Sequence, residues 1–205
     1  MLFDITRSQL VESFGEGRIA TLPVTAFPTS AVNTEGARLL QTVGVPAGTL
    51  WLREPDGDSG RLPRVQDVVD IEDFADVSED ADQWPVVGWL LNSHLALAPG
   101  SGKIHAFDAD AEIVQELHSD VSSLIQVTVR FQRLLEAFTF SGDDRDEQAD
   151  FERLDGEVER IREETSSIDP LPFQDGETVW SVVGDEIAMG QRFTGNSPAA
   201  RSRPR

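Results

Sequence analysis

Residues 84–91, 93–98, 103–107 and 112–117 are four short strand-like runs joined by very short connections: Asn92-Ser93, Pro99-Gly100-Ser101-Gly102 and Asp108-Ala109-Asp110-Ala111. A parallel pair needs a crossover of roughly a dozen residues, so loops this short leave only antiparallel neighbours. The spacing therefore predicts a meander. Its register can be read at the 99–102 hairpin. With Ala98 opposite Lys103, Leu95 meets Ala106 and Leu97 meets Ile104, and these four share one face. His94, Ala96, His105 and Phe107 share the other. The all-apolar set is the expected core side. Residues 49–53 read as one further strand, followed by the turn-rich Pro55-Asp56-Gly57-Asp58-Ser59-Gly60.

Helical spacing brackets this sheet. Thr6 and Gln9 have capping-box spacing ahead of Leu10, Val11 and Phe14, with Gly15 and Gly17 as stops. Residues 18–33, which include Pro23 and Pro28, read as extended chain. Thr34 is placed to cap a helix over 35–43 with Leu39, Leu40 and Val43 inward, stopped by Gly44 and Pro46. After the sheet, Val121, Leu124, Ile125, Thr128, Phe131, Leu134, Leu135 and Phe138 form a broad apolar stripe, with Ser119 or Asp120 as cap. Phe151, Leu154, Val158 and Ile161 mark a charged helix that ends at Asp169-Pro170. Thr178 caps a last one, with Trp180, Val183 and Ile187 inward and Gly190 as its stop. The predicted fold is α+β: an antiparallel meander sheet with helices packed on one face. At 205 residues it is expected to form one domain over 1–190, with 191–205 a disordered tail.

Charge and composition narrow the function classes. There are 37 acids against 17 bases, a net charge of −20. That field repels nucleic acid and anionic membrane and favours a basic protein partner. The chain has no cysteine, which excludes disulfides, thiolate metal sites and a cysteine nucleophile. No signal peptide or membrane span is legible, so the cytoplasm is the expected location. His94, His105 and His118 lie in no recognisable catalytic motif. His94 and His105 are diagonal on one sheet face, yet zinc takes roughly three or four protein ligands. The 56–67 segment begins like a calcium loop, but Arg61 stands where the turn needs glycine, and Asp67 is short for a bidentate Glu. Pro99-Gly100-Ser101-Gly102-Lys103 lacks the spacing of a phosphate loop. The expectation is a protein with no cofactor, no metal and no catalytic role.

One charge feature stands out. Between Val65 and Gln83 lie Asp67, Asp70, Glu72, Asp73, Asp76, Glu79, Asp80 and Asp82, with no base. Val68, Val69, Ile71, Phe74 and Val77 are interleaved with them. A disordered acidic tail carries few such anchors, so this segment is expected to pack with its acids outward. Asp67, Asp70, Glu72, Asp73, Asp76, Glu79 and Asp80 are the candidate partner-binding residues. Trp84 and Trp89 are expected in the core.

Short motifs, in order, resemble the SUKH superfamily, in particular its fourth group of bacterial immunity proteins. Gly44-Val45-Pro46 is similar to the group's Gly-Leu-Pro, and 98–104 to its Asp-Pro-x-x-Gly-x-Val hairpin, with Ala98 in place of Asp. Ser122-Ser123-Leu124 with Phe131, then Ile168-Asp169-Pro170, and finally the 180–187 run with Gly190 resemble its later signatures. The resemblance spans roughly 27–190 and implies a non-catalytic protein that binds and neutralises a polymorphic toxin domain, often one that attacks nucleic acid. An alternative within the same superfamily is a regulatory scaffold with several partners.

Overall fold

The computed structural model describes residues 1–75, 77–141 and 146–193, and all their side chains except that of Asp73. Thr6 starts helix α1 (Arg7–Phe14): its hydroxyl accepts from the Gln9 N–H, and the Gln9 carboxamide accepts from the Thr6 N–H at 2.8 Å. Gly15, at φ 84°, ends it. Residues 18–33 are less extended than predicted. After the two-residue strand β1 (Ile19–Ala20), Pro23 opens a tight turn in which the Ala26 N–H donates to its carbonyl at 3.0 Å. Helix α2 (Glu35–Thr42) is capped by Thr34, whose hydroxyl accepts from the Ala37 N–H at 3.2 Å. Gly44, at φ 79°, then turns the chain into β2 (Val45–Pro46), which pairs with β1. Glycine is required twice over at that position. The φ is left-handed, and a Cβ would lie 2.3 Å from the Ala20 carbonyl oxygen.

The sheet is the predicted meander. Its strands are β3 (Trp51–Leu52), β4 (Val86–Leu90), β5 (Ser93–Leu97), β6 (Ile104–Asp108) and β7 (Ile113–His118), hydrogen-bonded in that order. Leu95 pairs with Ala106 and Leu97 with Ile104, and the Ala98 N–H donates to the Lys103 carbonyl at 3.0 Å, as the hairpin spacing requires. The β4–β5 turn is Leu91-Asn92, one residue earlier than expected, because Leu91 itself takes the left-handed φ of 54°. Glycine or asparagine ordinarily supplies that conformation.

Both sheet faces are covered over part of their area. On the first face Leu95, Leu97, Ile104 and Ala106 are buried, and α2 comes close. A Cβ on Gly36 would touch Leu97 and Val121. Ala96 and Phe107 of the second face are buried as well. What covers them is the acidic segment described below.

Contacts divide the chain into two units after Thr128. Helix α3 (Val121–Ala137) begins in the first unit with Asp120 as its cap, accepting from the Ser123 N–H at 2.9 Å. The second unit holds the rest of α3 with α4 (Glu147–Ser166) and α5 (Val179–Ala188). Phe131 stacks on Trp180 with ring centroids 5.5 Å apart. Leu154, Val158 and Ile161 of α4 and Val183 and Ile187 of α5 are buried in the same unit. Arg162 ties the two helices, donating to the Ser181 carbonyl at 2.8 Å and to Asp185 at 2.7 Å. Gly184 leaves room for it, since a Cβ there would lie 2.8 Å from the guanidinium. Of the expected tail, 194–205 lies outside the described residues.

Candidate partner-binding surface

The acidic segment is a lid, closed at its neck by backbone pairing. The Val65 N–H donates to the Trp84 carbonyl at 3.0 Å and the Val86 N–H to the Pro63 carbonyl at 2.8 Å, so the chain leaves and rejoins the sheet at one place. Between those points it makes three short 3-10 turns, Val65–Asp67, Ile71–Asp73 and Ala81–Gln83. Val65, Val69, Phe74, Ala81 and Trp84 pack with Val86, Ala96, Ala98 and Phe107 of the second sheet face, while Val68, Ile71 and Val77 are half-buried against them. Phe74 meets Phe107 edge-on at 5.6 Å, and Trp84 lies 4.7 Å from the His105 ring. Burying these apolar groups fastens the lid and leaves Asp67, Asp70, Glu72, Glu79 and Asp80 exposed.

The acids then divide by what holds them. Asp67 is engaged locally: the Arg64 N–H donates to it at 2.8 Å and holds its carboxyl below the usual range, and the Arg64 guanidinium adds an ion pair at 3.3 Å. Asp70 caps the second turn, accepting from the Glu72 N–H at 3.3 Å. Asp80 accepts from the Ser78 hydroxyl at 2.6 Å, which keeps it ionised to lower pH. Glu72 and Glu79 are exposed and have no side-chain partner among the described residues. Asp76 lies outside the described residues. The lid therefore gathers Asp67, Asp70, Glu72, Glu79 and Asp80 on one exposed element, with only Asp67 charge-paired.

Beside the lid, Ala75, Val77 and Ser78 face Trp84, His105 and Glu116 across a groove of about 450 Å³. Burial lowers the His105 pKa, with Glu116 opposing the shift and Lys103 reinforcing it, and burial followed by Arg53 lowers that of His94. Both imidazoles are therefore neutral near pH 7. They sit diagonally, His94 opposite Phe107 and His105 opposite Ala96. Among the described residues no three His, Asp or Glu side chains converge as metal ligands. No helix among them is long and apolar enough to cross a membrane.

The model of the SUKH-4 immunity protein family matches residues 5–186. The chain belongs to that family. No curated protein and no solved structure matches it significantly. Membership in the SUKH-4 family supports an immunity role and implies a toxin as partner. The motifs that carried the resemblance are structural here. Gly44-Val45-Pro46 turns α2 into β2, 98–104 is the β5–β6 hairpin, and 180–187 is most of α5, with Trp180, Ser181, Val183, Gly184 and Ile187 buried.

Trp84 is in the core as expected, but Trp89 is not: it is 46% exposed, and so is its register partner Trp51, at 64%. The signal for this lay in the alternation. Leu90 and Leu50 are buried, so Trp89 and Trp51 point the opposite way, onto the second sheet face beyond the reach of the lid.

Proposed function

We propose that this SUKH-4 protein neutralises its cognate toxin by stoichiometric binding without catalysis, and that the toxin domain is a basic one acting on nucleic acid. The observation that carries this reading is the lid, whose apolar residues hold Asp70, Glu72, Glu79 and Asp80 outward on an ordered surface. An enzyme that grips phosphates needs a basic groove, and an acidic ledge complements that groove in charge and competes with its substrate. The chain needs no cofactor for this and acts in the cytoplasm, where the toxin would do its damage. The test is titration of the nuclease or deaminase activity of the cognate toxin with the full chain. The proposal expects a linear loss of activity ending near one chain per toxin, accompanied by loss of nucleic-acid binding. Substoichiometric inhibition, or inhibition that leaves nucleic-acid binding intact, would contradict it.

A further inference from the structure

The uncovered end of the second sheet face presents two tryptophans to solvent, and the adjoining hairpin tip a leucine. Trp51 and Trp89 are paired across β3 and β4, and Leu91, 37% exposed, follows at the hairpin tip in its left-handed conformation. Large apolar side chains clustered in this way mark interaction surfaces, and tryptophan is prominent among the residues that dominate binding energy. The Trp89 ring is also held in place. The Arg53 guanidinium lies over it at 6.0 Å, and the Arg53 N–H donates to the Val87 carbonyl at 2.9 Å. Anchors fixed before binding lose little freedom on docking.

The same face leads from these anchors to the acidic lid. Trp89 pairs with His94, His94 with Phe107, and Phe107 lies beneath Phe74 and Trp84 of the lid. Trp84 and Trp89 are five residues apart along nearly extended chain, or roughly 15 Å. One approaching surface can therefore meet the apolar anchors and the acids together. Interfaces commonly combine an aromatic centre with a polar rim in this manner.

The adjoining charge selects the occupant. A second copy docked here would bring together two chains of net charge −20 each. A basic surface has the complementary sign. We infer that Trp51, Trp89 and Leu91 anchor the basic toxin domain, with the lid acids as the rim of the same interface. This rests on the immunity reading above and names the surface through which it operates.

The test uses the full chain and a catalytically inactivated form of its cognate toxin domain. The double variant Trp51→Ser, Trp89→Ser is expected to bind roughly thirtyfold or more weakly, almost wholly through faster dissociation. Trp51→Gln alone, at the more exposed position, guards against a folding defect and is expected to shift affinity in the same direction. With 5-fluorotryptophan in place of the four tryptophans, the Trp51 and Trp89 fluorine resonances should respond to solvent isotope in the free chain and lose that response in the complex. Unchanged affinity in the variants, or unchanged resonances on binding, would overturn the inference and leave the immunity reading standing. A parent chain that neither binds nor protects would overturn both. Self-association abolished by the double variant would assign the surface to a second copy and overturn the inference.

Discussion

Asp150 shows how this acidic chain uses individual carboxylates structurally. It is buried at the start of α4, where the Ser141 N–H donates to it at 2.6 Å, the Ser141 hydroxyl at 2.8 Å and Arg153 at 2.8 Å. The Ser141 N–H is the leading cause of its lowered pKa, outweighing the cost of burial. A carboxyl lowered in the folded state contributes stability that is complete above its unfolded pKa of about 3.9 and lost as pH falls through the folded value. Asp150→Asn should therefore melt earlier than the parent near neutral pH, and the gap should close in acid. Thermal melts of both proteins across that range check this, and a gap independent of pH would contradict it. Asp67 and Asp80 have the same local character on the lid, whereas Glu72 and Glu79 have no side-chain partner among the described residues.

At the scale of elements, the lid depends on a few apolar contacts. Phe74→Ala removes the ring that packs edge-on against Phe107 and should cost about 3 kcal/mol, or roughly a hundredfold in lid closure. Hydrogen exchange should speed up at the Val69 and Phe74 amides, which donate to Val65 and Ile71, while amides of α5 hold their protection. Equal acceleration in both places would mean that the lid has no opening of its own. The lid also marks where the sequence stopped being legible. Helix caps at Thr6, Thr34 and Thr178, and the β5–β6 register, follow from local spacing and are as expected. Three 3-10 turns have neither a period of 2 nor one of 3.6, so the interleaved apolar residues signalled packing without saying against what. The covered second face followed from that and was hidden. So was the Leu91 turn, whose left-handed φ on leucine breaks the usual turn chemistry.

At the scale of the molecule, a net charge of −20 sets the far field, and the lid concentrates it beside an aromatic patch. Such a field raises the rate of encounter with a basic partner more than it lengthens the complex's lifetime. The most direct measurement is the association rate of the full chain with its toxin domain as a function of ionic strength, compared with Glu72→Lys, Glu79→Lys. Neither side chain has a partner among the described residues, and two reversals take the net charge from −20 to −16. Association is expected to be roughly tenfold slower in the variant at low salt, converging with the parent as salt shortens the screening length, with an unchanged dissociation rate. Association rates that are equal at every ionic strength would contradict it and reduce the lid's acids to a solvated surface.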